Sequence, residues 1–168
     1  MVLRIEPALA VGVGLVFALL IFQNQDSVKA IESNASKELT FKAFSLIEIT
    51  PKGVENYMNA SEAIKYQTYF EMHDINMTYQ NIQHLTANRA NYQDDIVYLD
   101  DSVQLTQDEG FRFETSKVAY LIKAKELYGE EPFQIDMNKS RIVGTNLRYD
   151  VKDKNISADN IRAKIYFE

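Results

Sequence analysis

The side chains that could perform acid–base chemistry or bind a metal are few and scattered in this sequence. They are the two histidines, His73 and His84, and two acidic pairs, Asp94-Asp95 and Asp100-Asp101. A calcium loop needs acidic residues that alternate with other residues, and neither pair has that spacing. His73 has an acid as its neighbour, but such a histidine is more often a surface residue than a ligand. The pattern therefore favours solvated acids in turns, and we expect no metal site.

Groups for covalent or phosphate chemistry are also missing. The 168 residues include no cysteine, no glycine-rich phosphate-binding loop and no nucleophile motif. We therefore expect no catalytic residue, no cofactor and no enzymatic activity. The net charge is −6, and because no concentrated basic face accompanies it, nucleic-acid binding is disfavoured.

A recurring tyrosine-marked segment predicts a series of β-hairpins. Its copies begin at Tyr66, Tyr92, Tyr120 and Tyr149, which are 26, 28 and 29 residues apart. In the last three copies charged residues follow the tyrosine, and an apolar residue comes about seven positions after it, as a strand, a tight turn and a returning strand require. A period of this length suits one two-stranded rung of a layered β structure. The chain is therefore expected to be mostly β.

Alternating apolar residues define one face of the predicted strands. Asp101 interrupts this face, which indicates a bend or sheet corner, and the parity changes near Ser116, which indicates a slip of register. Such a face could enclose either a dry sandwich core or an apolar groove for acyl chains, and the periodicity leaves both open. The residues of this face are Val97, Leu99, Val103, Leu105, Phe111, Phe113, Val118, Tyr120, Phe133, Ile135, Leu147 and Tyr149.

The uncharged segment 8–22 predicts a transmembrane helix that could extend over residues 2–25. Arg4 precedes the segment and no base follows until Lys29, so the charge asymmetry predicts a cytoplasmic N-terminus with the rest of the chain across the membrane. A cleaved signal peptide ending at 28–30 is the alternative.

Small residues within this segment suggest a helix contact. Ala10, Gly14 and Ala18 recur every four residues, and such a stripe lets two helices approach closely in lipid. The sequence therefore divides into a short cytoplasmic N-terminus at 1–7, an anchor at 8–22, a polar tether at 23–38 and a β domain at 39–168.

The last strand of the β domain is a candidate open edge, and the first strand has a pattern of its own. The first strand, which includes Phe41 and Ala43, is expected to change face once. The last strand places four residues on one face, namely Ile161, Ala163, Ile165 and Phe167. Open edges pair with other strands unless they are blocked. Arg162 and Lys164 on the opposite face could block this one, so both interpretations remain open.

Short fragments follow the anchor in a defined order. They are Gly53-x-x-x-Tyr57, Ala63-x-x-Tyr66, Asp101-Ser-Val-Gln-Leu105, Gly110-Phe-Arg-Phe-Glu-Thr115, Pro132-Phe133 and Gly144-Thr-Asn-Leu147. In this order and spacing the chain resembles the LptC family, the single-pass inner-membrane component of the lipopolysaccharide-export machinery. The resemblance covers nearly the whole chain and departs most between residues 51 and 88.

The resemblance implies a periplasmic, twisted and open β-jellyroll (OstA-like) that shelters acyl chains of lipopolysaccharide along the apolar face. It implies an anchor helix that packs on the transmembrane subunits of an ABC transporter through Ala10, Gly14 and Ala18. It further implies that the strand containing Phe41 and Ala43 receives lipid from the transporter and that residues 161–167 pass it to a soluble bridge protein. A membrane-anchored β scaffold with a dry core is the alternative.

Overall fold

The computed structural model describes residues 37–50, 53–79, 83–107 and 110–166, and the regular elements of these residues are β-strands. The strands are β1 (Lys37–Thr50), β2 (Gly53–Tyr66), β3 (Phe70–Tyr79), β4 (Gln83–Gln93), β5 (Ile96–Gln107), β6 (Phe111–Leu121), β7 (Glu126–Gly129), β8 (Phe133–Met137), β9 (Ser140–Asp150) and β10 (Asn155–Lys164).

The strands form one antiparallel sheet in which chain neighbours are mostly sheet neighbours. The order is β1-β2-β3-β4-β5-β6-β7-β9-β10, and β8 also pairs with β6 and β9. β7 and β8 lie end to end between the same two strands, so they act as one strand that is interrupted at residues 130–132. Pro132 lies in this interruption, where its missing N–H removes no hydrogen bond from the sheet.

Most of the long strands bend near their middle, and the bends align across the sheet. Residues with a positive φ mark the bends of β1, β3, β5, β9 and β10, namely Ala43, Asp74, Asp101, Ser102, Asn146 and Asn160. The register between β5 and β6 shifts at Asp101 and Ser102. We call this alignment the bend line. The bend expected at Asp101 and the change of face expected in the first strand are both confirmed.

Inward-facing side chains alternate along each strand. At a bend the alternation shifts by one residue, so that the same face of the sheet stays enclosed on both sides of the bend. On β3, Phe70 and Met72 are buried before the bend, and Ile75 and Met77 are buried after it. The enclosed face forms one apolar cluster that draws its buried residues from β2 to β9. The result is a jellyroll-like roll whose first and last described strands, β1 and β10, have no buried apolar residue.

The predicted tyrosine-marked hairpins are confirmed. Tyr66, Tyr92, Tyr120 and Tyr149 are the last or second-to-last residues of β2, β4, β6 and β9, and each is followed by a turn or bend. The slip of register expected near Ser116 is also confirmed, because burial passes from Phe111 and Phe113 to Val118 and Tyr120.

Two boundaries differ from the sequence-based expectation. β1 begins at Lys37, so the last two residues of the expected tether belong to the sheet. The last strand was expected to continue to Phe167, but β10 ends at Lys164. Lys164 pairs with Arg141 next to the start of β9, so the residues beyond it have little neighbouring strand left to pair with.

The expected anchor at 8–22 and the small-residue stripe lie outside the described residues. Within the described ranges, no helix is long and apolar enough to cross a membrane.

Candidate functional site

Residues that face each other across an antiparallel sheet lie on the same face, so the register defines rows that run perpendicular to the strands. One row of the inward face is apolar at every position and crosses the sheet from β1 to β10 through β8; it is buried in the middle and exposed at Ala163 on β10. Its members are Leu46, Met58, Met77, Leu85, Leu105, Phe113, Ile135, Ile142 and Ala163, and each pairs with the next. We call it the apolar row.

A second row of the inward face lies on the other side of the bend line, close to the hairpin turns, and its end members Leu39 and Ile156 are exposed. It contains Leu39, Lys65, Phe70, Tyr92, Val97, Tyr120, Leu127, Tyr149 and Ile156, again paired in succession. Lys65 is its one charged member. We call it the tyrosine row, and it includes three of the four tyrosines that mark the sequence repeat.

The twelve residues expected to line an apolar groove all lie on the enclosed face. Their exposed fractions run from 0% at Val97 to 8% at Leu99, Phe113, Tyr120 and Ile135, and all belong to one cluster. Leu105, Phe113 and Ile135 lie in the apolar row, and Val97, Tyr120 and Tyr149 lie in the tyrosine row. The structure thus brings the whole predicted set together.

Part of the lining was not anticipated from the sequence. It comes from β2, β3 and β4 and comprises Met58, Ala60, Ala63, Phe70, Met72, Ile75, Met77, Leu85, Ala87 and Ala90. The bend at Asp74 reverses the parity within this region, so one continuous alternation cannot be followed through it. The pair of shorter alternations on either side of Asp74 is the signal that could have found these residues.

The neighbouring row on the outer face is mostly polar and charged. Its row runs through Ile47, Tyr57, Thr78, His84, Thr106, Arg112, Asp136, Arg141 and Lys164, paired in succession. Arg141 binds the carboxylate of Asp136 with an Nε–Oδ1 distance of 2.6 Å, and this contact holds the pKa of Asp136 below its usual value. The sheet therefore separates an apolar interior from a polar exterior.

A cavity of about 750 Å³ follows the outer face beside the bend line. Gln104, Glu114, Gln134 and Arg162 contribute to its lining and lie in one outer row. Val103 and Phe133 of the enclosed face also line it, so the cavity extends from the polar outer row to apolar side chains of the interior.

Both terminal strands of the sheet have an unpaired side among the described residues, since β1 pairs with β2 alone and β10 with β9 alone. Large exposed apolar residues concentrate there: Leu39, Phe41, Ile47, Ile49, Ile156, Ile161, Ile165 and Tyr166. Ala163 belongs to the apolar row, so the enclosed face continues to the β10 edge, while Arg162 and Lys164 lie on the outer face.

The expected partner-binding residues are only partly described. Phe41 is 40% exposed and Ile161 is 49% exposed, and Ala43 lies at the bend of β1 with a φ of 53°. Ile165 is exposed just beyond the end of β10. Phe167, Ala10, Gly14 and Ala18 lie outside the described residues.

Burial changes the ionisation of the tyrosine row. The pKa values of Tyr92, Tyr120 and Tyr149 are all raised, first of all because burial disfavours the charged phenolate. The Tyr92 hydroxyl also donates to Asp95 at 3.2 Å. These rings consequently present neutral, largely apolar surfaces to the interior.

One expectation about the acids is wrong. Asp100 was expected to be solvated on the wet face of its strand; it does lie within β5, but it is only 8% exposed. Its carboxylate lies 3.3 Å from Lys117 Nζ and 3.9 Å from Arg89 Nε, which compensates the burial of its charge. Asp94 and Asp95 do form the expected turn, and the described residues contain no group of side chains that could hold a metal.

A largely enclosed apolar face, a polar exterior and two terminal strands with an unpaired side define a jellyroll-like β domain in the described residues. The chain belongs to the LptC family: the family model for lipopolysaccharide assembly, LptC-related, matches residues 8–160. The protein is therefore a non-enzymatic, periplasmic-facing component of lipopolysaccharide transport.

Comparison with solved structures gives a similar chain. LptH from Pseudomonas aeruginosa, described as the LptA-homologous periplasmic component of the lipopolysaccharide transport device, has 11% sequence identity and a TM-score of 0.48. The match covers 76% of this chain and 94% of LptH. A search of curated protein sequences found no match.

Proposed function

We propose that this domain carries the acyl chains of lipopolysaccharide along its enclosed rows. It receives the lipid at the β1 edge from an inner-membrane ABC transporter and passes it at the β10 edge to a soluble periplasmic bridge protein. The observation that carries the proposal is the apolar row, in which nine paired apolar residues connect one edge with the other without a polar member.

The length of the row is appropriate to this task. Nine strands at a spacing of about 4.8 Å give a path of roughly 38 Å along the sheet. Each methylene group that is kept from water contributes about 0.8 kcal/mol, so exposing ten carbons would cost about 8 kcal/mol. A lipid with several chains therefore needs a continuous apolar surface to cross an aqueous compartment.

The remaining parts of the proposal concern the membrane. The segment 8–22 anchors the chain in the inner membrane in a single pass, with residues 1–7 in the cytoplasm, residues 23–38 as the tether and the β domain in the periplasm. Ala10, Gly14 and Ala18 pack against the transmembrane subunits of the transporter. Support for this arrangement comes from the charge asymmetry around the segment and from the family match, which begins at residue 8.

The lipid path is tested with a photo-reactive benzoylphenylalanine at Phe113 in living Gram-negative cells. Phe113 faces the interior, and its chain neighbour Arg112 faces outward, so the same probe at Arg112 is the matched control. We expect a lipopolysaccharide adduct at Phe113 and none at Arg112. Adducts at neither position, with the protein folded and in the membrane, would refute the path.

A membrane-anchored scaffold with a dry core is the second candidate function. The observation that favours it is the tight enclosure of the buried cluster, whose core residues are at most 8% exposed. The roll must therefore open there before a lipid can enter. The Phe113 probe separates the two functions, because a dry core gives no lipid adduct.

The partners at the two edges are tested by moving the probe. At Phe41 on β1 we expect a protein adduct that contains a transporter subunit, and at Ile161 on β10 an adduct that contains the bridge protein. Thr106 lies on the outer face in the middle of the sheet and is the control position. The same protein captured from both edges would contradict the proposed direction of transfer.

A further inference from the structure

On β2 to β5 the enclosed face is polar at the end away from the tyrosine row, whereas on β6 and β8 the same end carries Phe111 and Met137. Beyond the apolar row, the next row contains Asn56, Tyr79, Gln83 and Gln107, paired in succession on β2, β3, β4 and β5. Asn56 and Gln83 each lie two positions along the strand from a member of the apolar row, Met58 and Leu85, and are therefore about 7 Å from it. We call these four residues the amide row.

Two carboxamide oxygens in the amide row are buried without a partner. Asn56 is 7% exposed and Gln83 is 4% exposed, and the burial pattern of β4 places Gln83 on the same face as Leu85. Neither Asn56 Oδ1 nor Gln83 Oε1 accepts a hydrogen bond from the described residues. Asn56 Nδ2 donates to Glu48 Oε2, which fixes the orientation of that amide.

Unpartnered buried oxygens are unusual and unfavourable, because they lose their hydrogen bonds to water and gain none in return. The amide row contains two such oxygens and lies beside a row that is wholly apolar. A hydrogen-bond donor on a lipid bound in the apolar row would satisfy them. The two oxygens are two strands apart, which corresponds to roughly 10 Å. This separation suits donors on two neighbouring chains of a lipid with several chains.

We propose that Asn56 Oδ1 and Gln83 Oε1 accept hydrogen bonds from amide N–H or hydroxyl groups near the attachment points of acyl chains held in the apolar row. The inference rests on the proposed function, since it needs chains in the interior. It makes the amide row a selectivity element: an ester-linked chain without a hydroxyl offers acceptors only and leaves both oxygens unpaired. Amide-linked or hydroxylated acyl chains are therefore bound in preference to the chains of ordinary phospholipids.

The test uses the full-length protein in detergent micelles with benzoylphenylalanine at Phe113. Capture of lipopolysaccharide is compared with capture of dipalmitoyl phosphatidic acid, whose chains carry neither an amide nor a hydroxyl group. Gln83→Met removes the acceptor at similar volume. Thr106→Met is the matched control, because it introduces the same side chain on the outer face, away from the proposed lipid path.

We expect Gln83→Met to reduce lipopolysaccharide capture about five-fold, as for the loss of one hydrogen bond, and to leave phosphatidic acid capture and thermal stability unchanged. Asn56→Leu should act in the same direction on lipid preference. Thr106→Met should leave the capture of both lipids, and their ratio, as in the wild type.

The other possible results distinguish a failure of the amide-row inference from a failure of the proposed function. Unchanged lipopolysaccharide capture in Gln83→Met would mean that the oxygen holds only a water molecule, and the inference would fall while the proposed function stood. An equal loss for both lipids would indicate a changed interior shape and would also overturn it. If the wild-type protein captured neither lipid, the proposed function itself would fail.

Discussion

The ring of Phe133 on β8 lies directly against Gly144 on β9, so that a β-carbon on Gly144 would come within 2.9 Å of the ring atom Cζ. The same position would be 2.6 Å from Ile161 Cδ1 and 3.0 Å from the carbonyl oxygen of Asp159, both on β10. The missing side chain thus allows β8, β9 and β10 to approach one another beside the open edge.

We expect Gly144→Ala to destabilise the protein by about 1–3 kcal/mol, because the new methyl group forces Phe133 and the β10 backbone to move. The change should appear as a lower urea midpoint. Arg148→Ala on the same strand is the control, since Arg148 is exposed and should change the midpoint little. A midpoint equal to that of the wild type in Gly144→Ala would mean that β10 adjusts freely.

The contrast between the two faces of β5 provides a second prediction. Leu105 is 6% exposed within the apolar row, and its neighbour Thr106 lies on the outer face. A carboxylate at Leu105 would be buried without a partner, so Leu105→Asp should lower stability by at least about 3 kcal/mol and abolish lipid capture. Thr106→Asp should be close to neutral, and similar losses for the two variants in urea unfolding would contradict the assigned faces.

The sequence was sufficient for the hairpins and for the enclosed face from β5 onward, because valine, leucine and phenylalanine alternate there with polar residues over long stretches. It was insufficient for β2 and β3. There the enclosed positions are filled by alanine and methionine, and the bend at Asp74 reverses the parity within a strand of ten residues.

The bend line was anticipated at Asp101, where a charge interrupts a long apolar alternation, and in the first strand, where one change of face was expected. Asn146 and Asn160 gave a weaker signal, since asparagine tolerates positive φ but is also common on exposed strands. Asn56 and Gln83 gave no signal in the sequence, because a single polar residue in a strand is usually exposed and its type does not reveal that it faces inward.

Asp101 allows the bend line to be tested through backbone conformation. Its φ is 60°, a region that glycine adopts without steric penalty and β-branched residues strongly disfavour. Asp101→Gly should change stability by less than about 1 kcal/mol, although it also removes the 3.6 Å contact with Arg89. Asp101→Val should cost about 1–2 kcal/mol. Equal stability of the two variants in urea unfolding would show that the bend does not depend on this residue.

The tyrosine row should make the protein sensitive to alkali. Burial raises the pKa of Tyr120 in the folded state above the value of about 10 that it has when unfolded. At any pH above that value the folded state then binds more protons than the unfolded state, so stability must fall as the pH rises through the folded-state pKa. Below pH 10 the same group contributes no pH dependence.

Tyr120→Phe should therefore lose less stability than the wild type between pH 9 and pH 11, and adding Tyr149→Phe should flatten the profile further, because burial also raises the pKa of Tyr149. Urea midpoints measured across this range provide the comparison. Tyr166→Phe, whose ring is 51% exposed, controls for the simple loss of a hydroxyl group. An alkaline profile that is unchanged in the double variant would mean that these hydroxyl groups reach water in the folded roll, and the enclosure of the tyrosine row would have to be rejected.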